Sequence, residues 1–463
     1  MVTRASFGIA TRQLDWTLST TQVFSHFADL PWAILLDSAD APHRDAKFDI
    51  ICAFPIATLV TNGDQTDYTS LLNIEESETS NACPFSLLND KLNQLFPQQF
   101  TCHLPFSGGA MGCFSYDLGR RIEALPASAL HDTTLPELNI GFYDWALVFD
   151  NQTQGWSLVH YLGEAQLNIT LQRIEQLLQG TVSDKVFTLT SPWLPQLSAA
   201  QYQQRFDRVQ DYLHSGDCYQ INLTQRFSAT YQGNEWSAYL KLRQANRAPF
   251  SAFIRLEEHA VLSISPERFI KLEQDVIQTK PIKGTLARHH DPDLDRAAAK
   301  TLQASTKDRA ENVMIVDLLR NDIGKVAQAG SVTVPHLFEV ESFPAVHHLV
   351  STVTAKLAPS YCAADLLKAA FPGGSITGAP KIRAMEIIEE LEPCRRSIYC
   401  GSIGYISQDR KMDTSITIRT LVTQGSELFC WAGGGIVADS NVAAEYQESF
   451  DKLGKILPIL EQA

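Results

Sequence analysis

The stretch Ser402–Gly435, SIGYISQDRKMDTSITIRTLVTQGSELFCWAGGG, contains three short apolar or alternating runs separated by turn residues. The runs predict strands at Ser402 to Ile406, Ser415 to Leu421 and Leu428 to Ala432. A further strand is predicted earlier, at Ala260 to Ser265. Helical spacing of apolar residues predicts the elements between these strands, at Arg309 to Leu319, Ala363 to Ala370 and Lys381 to Leu391. The sequence therefore predicts mixed α and β structure, and it leaves the strand order open.

The first part of the chain is predicted to be rich in strands, at Trp32 to Leu36, Asp49 to Phe54 and Gly141 to Phe149. A polar helical stretch then leads into Ser191-Pro192-Trp193-Leu194-Pro195, a composition typical of a junction between two halves. After it, apolar spacing predicts a helix that stops at Ser215-Gly216-Asp217 before another strand.

Composition limits the class of protein. With 463 residues, 44% hydrophobic and 19% charged, the chain resembles a soluble enzyme of two domains or one large intertwined domain. Its net charge of -14 disfavours nucleic acid or an anionic membrane as partner. The nine cysteines are scattered, and the sequence shows neither a signal peptide nor eighteen consecutive apolar residues. A cytoplasmic location is therefore expected.

Lys283 lies in Pro281-Ile282-Lys283-Gly284-Thr285, between a proline that fixes the backbone and a glycine that allows close approach to a ligand. An amine that acts as nucleophile must lose its proton, through desolvation or neighbouring positive charge. Lys280 and Arg288 are the candidates for that charge. A lysine in a turn is more often a solvated surface group, so both interpretations stay open at this point.

Two carboxylate pairs have the spacing that places both members on one helix face: Asp308 with Glu311, and Glu445 with Glu448. Two such faces could hold one Mg²⁺, which prefers oxygen ligands and keeps several of its waters. The alternative is a pair of solvated helix faces.

Backbone amides could bind anions at two glycine-rich segments. Phe371–Lys381 is a loop that runs into a helix, and Gly433–Gly435 follows a strand. A tight turn and a glycine bulge are the respective alternatives. Arg419, on a predicted strand, requires either a structural carboxylate or an anionic substrate.

Two further side chains are candidates for proton transfer or for binding. Glu267 follows an apolar strand and could act as a general acid if its pKa is raised. The alternative is a local ion pair with Arg268. His348 could equally be a core histidine held by a backbone hydrogen bond.

Ordered motifs along essentially the whole chain resemble those of the chorismate-utilising enzymes, within them the aminodeoxychorismate synthase branch. The motifs are Phe106-Ser107-Gly108-Gly109, Tyr219-Gln220-Ile221-Asn222-Leu223, Ser265-Pro266-Glu267-Arg268-Phe269, Pro281-Ile282-Lys283-Gly284-Thr285, Asp308-Arg309-Ala310-Glu311-Asn312, Asp317-Leu318-Leu319-Arg320-Asn321-Asp322, Gly378-Ala379-Pro380-Lys381 and Gly435-Ile436-Val437-Ala438-Asp439-Ser440. The resemblance implies an α+β fold, a large intertwined two-sheet β-sandwich core with helices packed outside. It assigns 1–190 to an N-terminal region with a tryptophan-site motif and 195–463 to a chorismate-binding catalytic region.

The resemblance also implies ligands. Mg²⁺ would be held by Glu311 and Glu448, with Asp308 and Glu445 nearby, and would bind the ring carboxylate of chorismate. The remaining contacts to chorismate would come from Tyr399, Arg419 and the amides of Gly433, Gly434 and Gly435 on the enolpyruvyl carboxylate, and from Gly284, Thr285, Ser375 and His348 around the ring.

For the chemistry, the resemblance implies that the Lys283 amine attacks C2 of chorismate while Glu267 protonates the departing 4-hydroxyl. Ammonia then adds at C4 and expels the lysine, which gives 4-amino-4-deoxychorismate for para-aminobenzoate and folate synthesis. Anthranilate synthases usually carry alanine at the lysine position. Isochorismate and salicylate synthases activate water with a lysine where this chain has Gln220.

Ammonia is expected from glutamine through a separate amidotransferase subunit, as a heterodimer, because no such segment is recognisable in this chain. The resemblance further implies a tryptophan-binding site at Ser38, Asp45, Ala46, Lys47, Phe48, Pro249, Phe250 and Ser251. Anthranilate synthase component I is the rival activity. A non-catalytic regulator that binds chorismate or tryptophan is the rival class, and it would be expected to have lost Lys283 or the carboxylates.

Overall fold

The computed structural model describes residues 8–182, 185–289, 291–342 and 346–462. Strands dominate these segments. The strands are β1 Ala10–Leu14, β2 Ile34–Asp37, β3 Phe48–Cys52, β4 Ala57–Asn62, β5 Gln65–Ser70, β6 Glu78–Ser80, β7 Gly109–Phe114, β8 Leu138–Tyr143, β9 Trp145–Asp150, β10 Gly155–His160, β11 Thr188–Leu189, β12 Leu194–Pro195, β13 Gln220–Gln232, β14 Phe250–Arg255, β15 Ala260–Ser265, β16 Arg268–Glu273, β17 Val276–Thr279, β18 Ile282–Ala287, β19 Thr333–Ser342, β20 Val346–Lys356, β21 Gly378–Ala379, β22 Ser402–Ser407, β23 Met412–Ile416, β24 Thr420–Gln424 and β25 Glu427–Ile436.

Helices lie between the strands and pack outside them. They are α1 Thr20–Ser25, α2 Pro84–Leu95, α3 Glu164–Leu178, α4 Ala199–Ser215, α5 Glu235–Asn246, α6 Pro292–Ala304, α7 Thr306–Gly324, α8 Ala363–Ala370, α9 Lys381–Leu391, α10 Val442–Asp451 and α11 Leu457–Glu461, with 3₁₀ turns at Ile74–Glu76, Tyr116–Arg121 and Gly374–Ile376.

The strands form two large antiparallel sheets. The first has the order β1-β10-β9-β3-β2-β14-β15-β24-β25-β13-β11, with β12 and β21 also paired to β13. The second has the order β18-β20-β17-β16-β23-β22-β7-β8-β4-β5-β6, with β19 paired to β20. Each sheet takes strands from both the first and the second half of the chain. The predicted α+β sandwich is therefore confirmed.

The main core lies between the two sheets. Ile34 and Ile50 of the first sheet pack in one cluster with Leu59 and Met111 of the second. A separate apolar cluster covers the outer face of the first sheet, where helices such as α5 and α11 supply Leu242 and other side chains. Burial on both faces explains why so many strands read as continuous apolar runs.

The local predictions were mostly correct. Strand β15 and helices α8 and α9 have the predicted bounds, and α4 ends at Gly216, whose φ of +83 is the left-handed conformation that glycine tolerates best. The predicted strand Ser415 to Leu421 was wrong. The chain bends there between β23 and β24, and Arg419 at the bend has a φ of +52.

Two further observations bear on location and redox state. Across the residues that the structure describes, no helix is both long and apolar enough to cross a bilayer. All nine cysteines fall within those residues, and each is a free thiol.

Candidate functional site

Lys283 lies on strand β18, and the prediction of a turn at this position was wrong. It pairs with Leu349 of β20, and the register shifts between Lys283 and Thr285 because Gly284 forms a bulge with a φ of +72. A Cβ at Gly284 would lie 2.8 Å from the side chain of Asp308. Glycine therefore allows helix α7, which carries Asp308, to pack directly against the lysine strand.

The pKa of Lys283 is lowered, and desolvation by burial is the largest cause. The positive charge of Lys452 lowers this pKa further, whereas the carboxylates of Glu311, Glu267 and Glu448 oppose the shift. The sequence-based candidates for the neighbouring charge were wrong. Lys280 is paired with Glu341 at 2.7 Å and Arg288 with Asp295 at 2.7 Å.

Glu267 lies in the short connection between β15 and β16 and is buried. Burial raises the pKa of Glu267 to about 7, although Lys283, a hydrogen bond from Ser375 and one from the Ile282 amide lower it in part. The Ser375 hydroxyl donates to Glu267 Oε1 at 3.1 Å. A carboxyl with this pKa holds its proton near neutral pH beside a lysine, which is the arrangement that a general acid requires.

Thr285 and His348 meet across the ladder between β18 and β20. Thr285 Oγ1 and His348 Nδ1 share a hydrogen bond of 2.9 Å. Desolvation, followed by the charge of Arg419, lowers the pKa of His348 to about 4. The imidazole is therefore neutral at physiological pH and can contact a ligand without adding charge.

Arg419 is a half-buried positive group of this region. Burial lowers its pKa, and the one charge that acts against this shift is Glu267. Within the described part of the chain, no carboxylate lies within ion-pair distance of its guanidinium. Its neighbour in the predicted anion site, Tyr399, is buried and stacks on Trp431 with ring centroids 6.4 Å apart. A half-buried arginine without a carboxylate partner among the described residues can donate hydrogen bonds to an anionic ligand.

Gly433, Gly434 and Gly435 lie on β25, opposite Thr224, Leu223 and Asn222 of β13. Strand β24 pairs with 427–430 of β25, so among the described strands none pairs with the other edge of this glycine segment. A Cβ at Gly435 would lie 2.5 Å from Gln220 Nε2. Gln220 is fully buried, and both polar atoms of its side chain lack a hydrogen-bond partner within the described residues. Such a side chain is costly unless a ligand or water completes it.

The two carboxylate pairs lie at the starts of helices that border this region. The Ser305 hydroxyl caps α7, which puts Asp308 in its first turn. Asn441 caps α10 in the same way and puts Glu445 in its first turn. A Cβ at Gly434 would lie 2.9 Å from Glu445 Oε2 and 3.1 Å from Glu448 Oε1. The missing side chain at Gly434 is what gives the α10 pair its space.

The chemistry of these carboxylates fits a hard divalent cation. Burial raises the pKa of both Glu311 and Glu445, and each is also raised by a neighbouring carboxylate. Glu445 Oε2 is buried without a hydrogen-bond partner among the described residues. A cation would relieve both the repulsion and the missing contact. Over those same residues, no three His, Cys, Asp or Glu side chains converge closely enough to hold a metal ion as they stand.

Lys452 is the residue of this site that sequence reasoning missed. Its amine lies 2.6 Å from Glu448 Oε1 and donates to the Gly433 carbonyl at 2.7 Å. It therefore links the α10 carboxylates to the glycine strand, and it also acts on Lys283. The sequence did indicate this residue, because a lysine four residues after a glutamate on a helix lies on the same helix face as that glutamate. We call this region the Lys283 site. It comprises Lys283, Glu267, Ser375, His348, Arg419, Gln220, Lys452, the two carboxylate pairs and Gly433–Gly435.

A second region is a cavity of about 290 Å³ between the sheets, called the inter-sheet cavity. Of the residues predicted to bind tryptophan, its lining includes Asp45, Lys47, Phe48, Pro249, Phe250 and Ser251. Ser38 and Ala46 do not line it. Ser38 is buried and donates to the Phe48 carbonyl at 2.8 Å, so it supports the wall rather than facing the space.

The alternative interpretation of Glu267, an ion pair with Arg268, was wrong, because Arg268 belongs to this cavity. Its guanidinium donates to both carboxylate oxygens of Asp413, at 2.9 and 3.0 Å, and lies 2.9 Å from Asp45 Oδ1. It also lies over the Phe250 ring, 4.9 Å from the centroid. Adjacent residues of the chain thus serve two different sites.

Residues 33–458 match the family described as chorismate binding enzyme. The chain belongs to this family. It is 58% identical over 440 residues to aminodeoxychorismate synthase component 1 of Klebsiella aerogenes, covering 95% of this chain and 96% of that protein. It is 56% identical over 440 residues to the protein of the same name from Escherichia coli strain K12, with 95% of each covered.

Among solved structures, the chorismate-binding fold is matched by anthranilate synthase component I from Streptococcus pneumoniae TIGR4. The TM-score is 0.79 at 29% sequence identity, over 89% of this chain and 92% of that one. The likeness agrees with the two antiparallel sheets and the helices outside them.

Proposed function

We propose that this chorismate-binding enzyme is the synthase component of aminodeoxychorismate synthase, which converts chorismate and ammonia into 4-amino-4-deoxychorismate. The observation that carries the proposal is Lys283, a partly buried lysine with a lowered pKa, beside Glu267 with a pKa of about 7. The identity of 58% and 56% to proteins named for this activity supports it.

The first step is a displacement by the lysine. The neutral Lys283 amine forms a bond to C2 of chorismate, both conjugated double bonds of the ring shift toward C4, and the C4–O bond breaks. Glu267 gives its proton to the departing hydroxyl, which leaves as water. The new ammonium at Lys283 then loses a proton. A lysine of lowered pKa and a carboxyl of raised pKa match these two roles.

The second step reverses the shift. Ammonia forms a bond to C4, both double bonds move back, and the C2–N bond to Lys283 breaks as the lysine nitrogen takes up the proton that the new C4 ammonium loses. The lysine is regenerated as an amine, and the nitrogen remains at C4. Gln220, whose side chain lies against Gly435, is neutral and cannot act as the base that would activate water, which favours ammonia as the nucleophile.

Binding of a dianionic substrate by an acidic chain requires local positive charge. Arg419, with no carboxylate partner among the described residues, and the open amide edge of 433–435 would hold the enolpyruvyl carboxylate. Glu311 and Glu448, with Asp308 and Glu445, would hold Mg²⁺, which when bound supplies charge for the ring carboxylate. Gly284, Thr285, Ser375 and His348 would surround the ring, with neutral His348 adding no charge.

Two partners complete the proposal. The name of these relatives, component 1, implies a second component, which we take to be a glutamine amidotransferase that supplies ammonia. The inter-sheet cavity would bind L-tryptophan, with Phe250 and Pro249 as apolar walls and Asp45 and Ser251 as polar ones.

The product assay tests the function. The purified chain is incubated with chorismate, Mg²⁺ and ammonium, which replaces the partner, and the products are identified by chromatography and mass. We expect 4-amino-4-deoxychorismate without release of pyruvate. Formation of anthranilate together with pyruvate would contradict the proposal and assign the rival activity.

A further inference from the structure

Arg268 connects three distant parts of the molecule beside the general acid. It begins strand β16, directly after Glu267, and it is buried. Its guanidinium binds Asp413 of the neighbouring strand β23 through two hydrogen bonds. The third contact, with Asp45 at 2.9 Å, comes from the segment between β2 and β3, in the first half of the chain.

The pair with Asp413 already neutralises Arg268 within its own sheet, so Asp45 is not needed to balance the charge. Asp45 is partly exposed on a segment without regular structure. The Asp45 carboxylate keeps some contact with water, which can solvate its charge without Arg268. Asp45 instead restrains the Arg268 guanidinium from a second side.

Restraint on Arg268 is passed to Glu267 through the backbone. Consecutive residues of an extended chain send their side chains to opposite sides. The Arg268 side chain enters the inter-sheet cavity, while the Glu267 carboxyl contacts Ser375 and the Ile282 amide in the Lys283 site. The peptide between them is also held by the bond from the Ile416 amide to the Glu267 carbonyl, at 3.1 Å. Fixing one side chain thus limits rotation of the other.

We propose that Asp45 and Arg268 are positioning residues for Glu267. The segment between β2 and β3, which carries predicted tryptophan-site residues, thereby sets the position of the general acid. The same segment makes a parallel contact on the lysine side. Arg44 is paired with Glu341, and Glu341 also binds Lys280 at 2.7 Å, three residues before Lys283. The segment between β2 and β3 therefore contacts residues close in sequence to both Glu267 and Lys283. The inference rests on the proposed roles of Lys283 and Glu267.

The test compares two carboxylates of one segment. Asp45→Asn removes the charge opposite Arg268 without changing side-chain size. Asp40→Asn is the matched control, because Asp40 lies on the same segment and binds an arginine, Arg243, at 2.7 Å, but that arginine belongs to α5 and not to the Lys283 site. Asp40 has a φ of +48, which asparagine tolerates. Both variants are checked for wild-type melting behaviour, and Asp45→Glu serves as the conservative rescue.

The readout is the rate of chorismate consumption, whichever product forms, so that an error in the assigned product does not affect this test. For Asp45→Asn we expect kcat to fall about 10-fold with KM for chorismate within about twofold, since a small misplacement of a catalytic group acts on the transition state. Asp40→Asn is expected to keep the wild-type kcat, and Asp45→Glu to recover part of the loss. The Asp45→Asn defect should persist at saturating L-tryptophan.

Three results would each overturn the inference. These are a wild-type kcat in Asp45→Asn, an equal loss of kcat in Asp45→Asn and Asp40→Asn, and a defect that saturating tryptophan abolishes. The last would assign Asp45 to ligand binding alone.

Discussion

The Lys283 site and the inter-sheet cavity treat their charged groups in opposite ways. In the cavity, Arg268 is matched by Asp413 and Asp45. In the Lys283 site, by contrast, Arg419 has no carboxylate partner in the part of the chain that the structure describes. Among the same residues, Glu445 Oε2 and both polar atoms of Gln220 lack hydrogen bonds. Because unpaired buried groups are costly, they mark where charged ligands are expected to complete the structure.

The pKa values show the same contrast. Burial raises the pKa of Glu267 to about 7 and lowers that of Lys283, so each is shifted toward its neutral form. In the cavity, Asp413 and Asp45 raise the pKa of Arg268 and hold it charged. The inter-sheet cavity therefore stabilises the charged form of Arg268, whereas the Lys283 site favours the neutral forms of Lys283 and Glu267. The first property suits a structural pocket and the second suits nucleophilic and acid catalysis.

The largest expected effect is loss of the nucleophile. Lys283→Ala is expected to reduce aminodeoxychorismate formation at least about 10³-fold, because ammonia alone would have to displace the 4-hydroxyl. The change should largely spare the fold, since Lys283 is only partly buried. Steady-state assays with a melting curve measure both. Lys300→Ala, an exposed lysine on α6, is the control. Wild-type turnover in Lys283→Ala would remove the nucleophile role.

Removing the acid comes next. Glu267→Gln is expected to lower kcat about 10²- to 10⁴-fold. In the wild type, kcat should fall as pH rises through about 7, where Glu267 loses its proton. Glu273→Gln, at the exposed end of strand β16, which follows Glu267, is the control and should keep the wild-type pH profile. A Glu267→Gln enzyme with an unchanged kcat and pH limb would contradict the acid role.

The same residue makes a prediction about stability. The folded-state pKa of Glu267, about 7, exceeds its ordinary value of 4.5, so the folded state binds more protons between these pH values. The free energy of unfolding attributable to this group is therefore greatest below pH 4.5 and is lost as pH rises through 7. The loss is about 3 kcal/mol. Denaturant unfolding at pH 5 and pH 8 should show Glu267→Gln gaining stability relative to wild type at the higher pH. No gain would show that Glu267 is ionised in the folded state.

Metal binding should change by a smaller factor. Glu445→Gln is expected to raise the Mg²⁺ concentration for half-maximal activity by roughly 10- to 100-fold, because one hard anionic oxygen is lost. Direct titration calorimetry with Mg²⁺ gives an independent readout. Glu386→Gln is the control, since Glu386 lies on α9 and binds Arg383 at 2.8 Å. Equal Mg²⁺ dependence in both variants would exclude Glu445 from the metal site.

The smallest effect is expected in the inter-sheet cavity. L-Tryptophan at a hundredfold excess over its Kd should raise Tm by about 2–5 °C. Phe250→Ala should abolish the shift by removing an apolar wall. Phe149→Ala, which packs on the other face of the first sheet, should keep it. We expect turnover to change less than about twofold on tryptophan addition, since Arg268, the charged group of this cavity next to Glu267, is already paired with Asp413 and Asp45. A shift that survives in Phe250→Ala would locate tryptophan elsewhere.

Local pattern was enough to predict much of the fold and the site. Alternation fixed β15, and helical spacing gave α8 and α9 their bounds. Motif resemblance brought Glu267, Ser375 and Lys283 into one site, and the structure has them in contact or electrostatic range. These are properties of short segments, which the sequence expresses directly.

The remainder depends on contacts between distant segments. The bend at Arg419 interrupts an apolar run that looks like one strand. The lowered pKa of Lys283 arises from burial and from Lys452, far along the chain, rather than from its sequence neighbours Lys280 and Arg288. The contact between Asp45 and Arg268 requires the fold of both sheets. No local pattern encodes such partners.

The most direct test of the contrast between the two regions is a mass spectrum of the chain after exposure to chorismate and Mg²⁺ without ammonia. Because the pKa of Lys283 is lowered toward the neutral amine, we expect a covalent adduct that adds the mass of chorismate less one water. Peptide mapping should locate this adduct on Lys283. An adduct-free chain under conditions where ammonium supports turnover, or an adduct on a different lysine, would contradict the account.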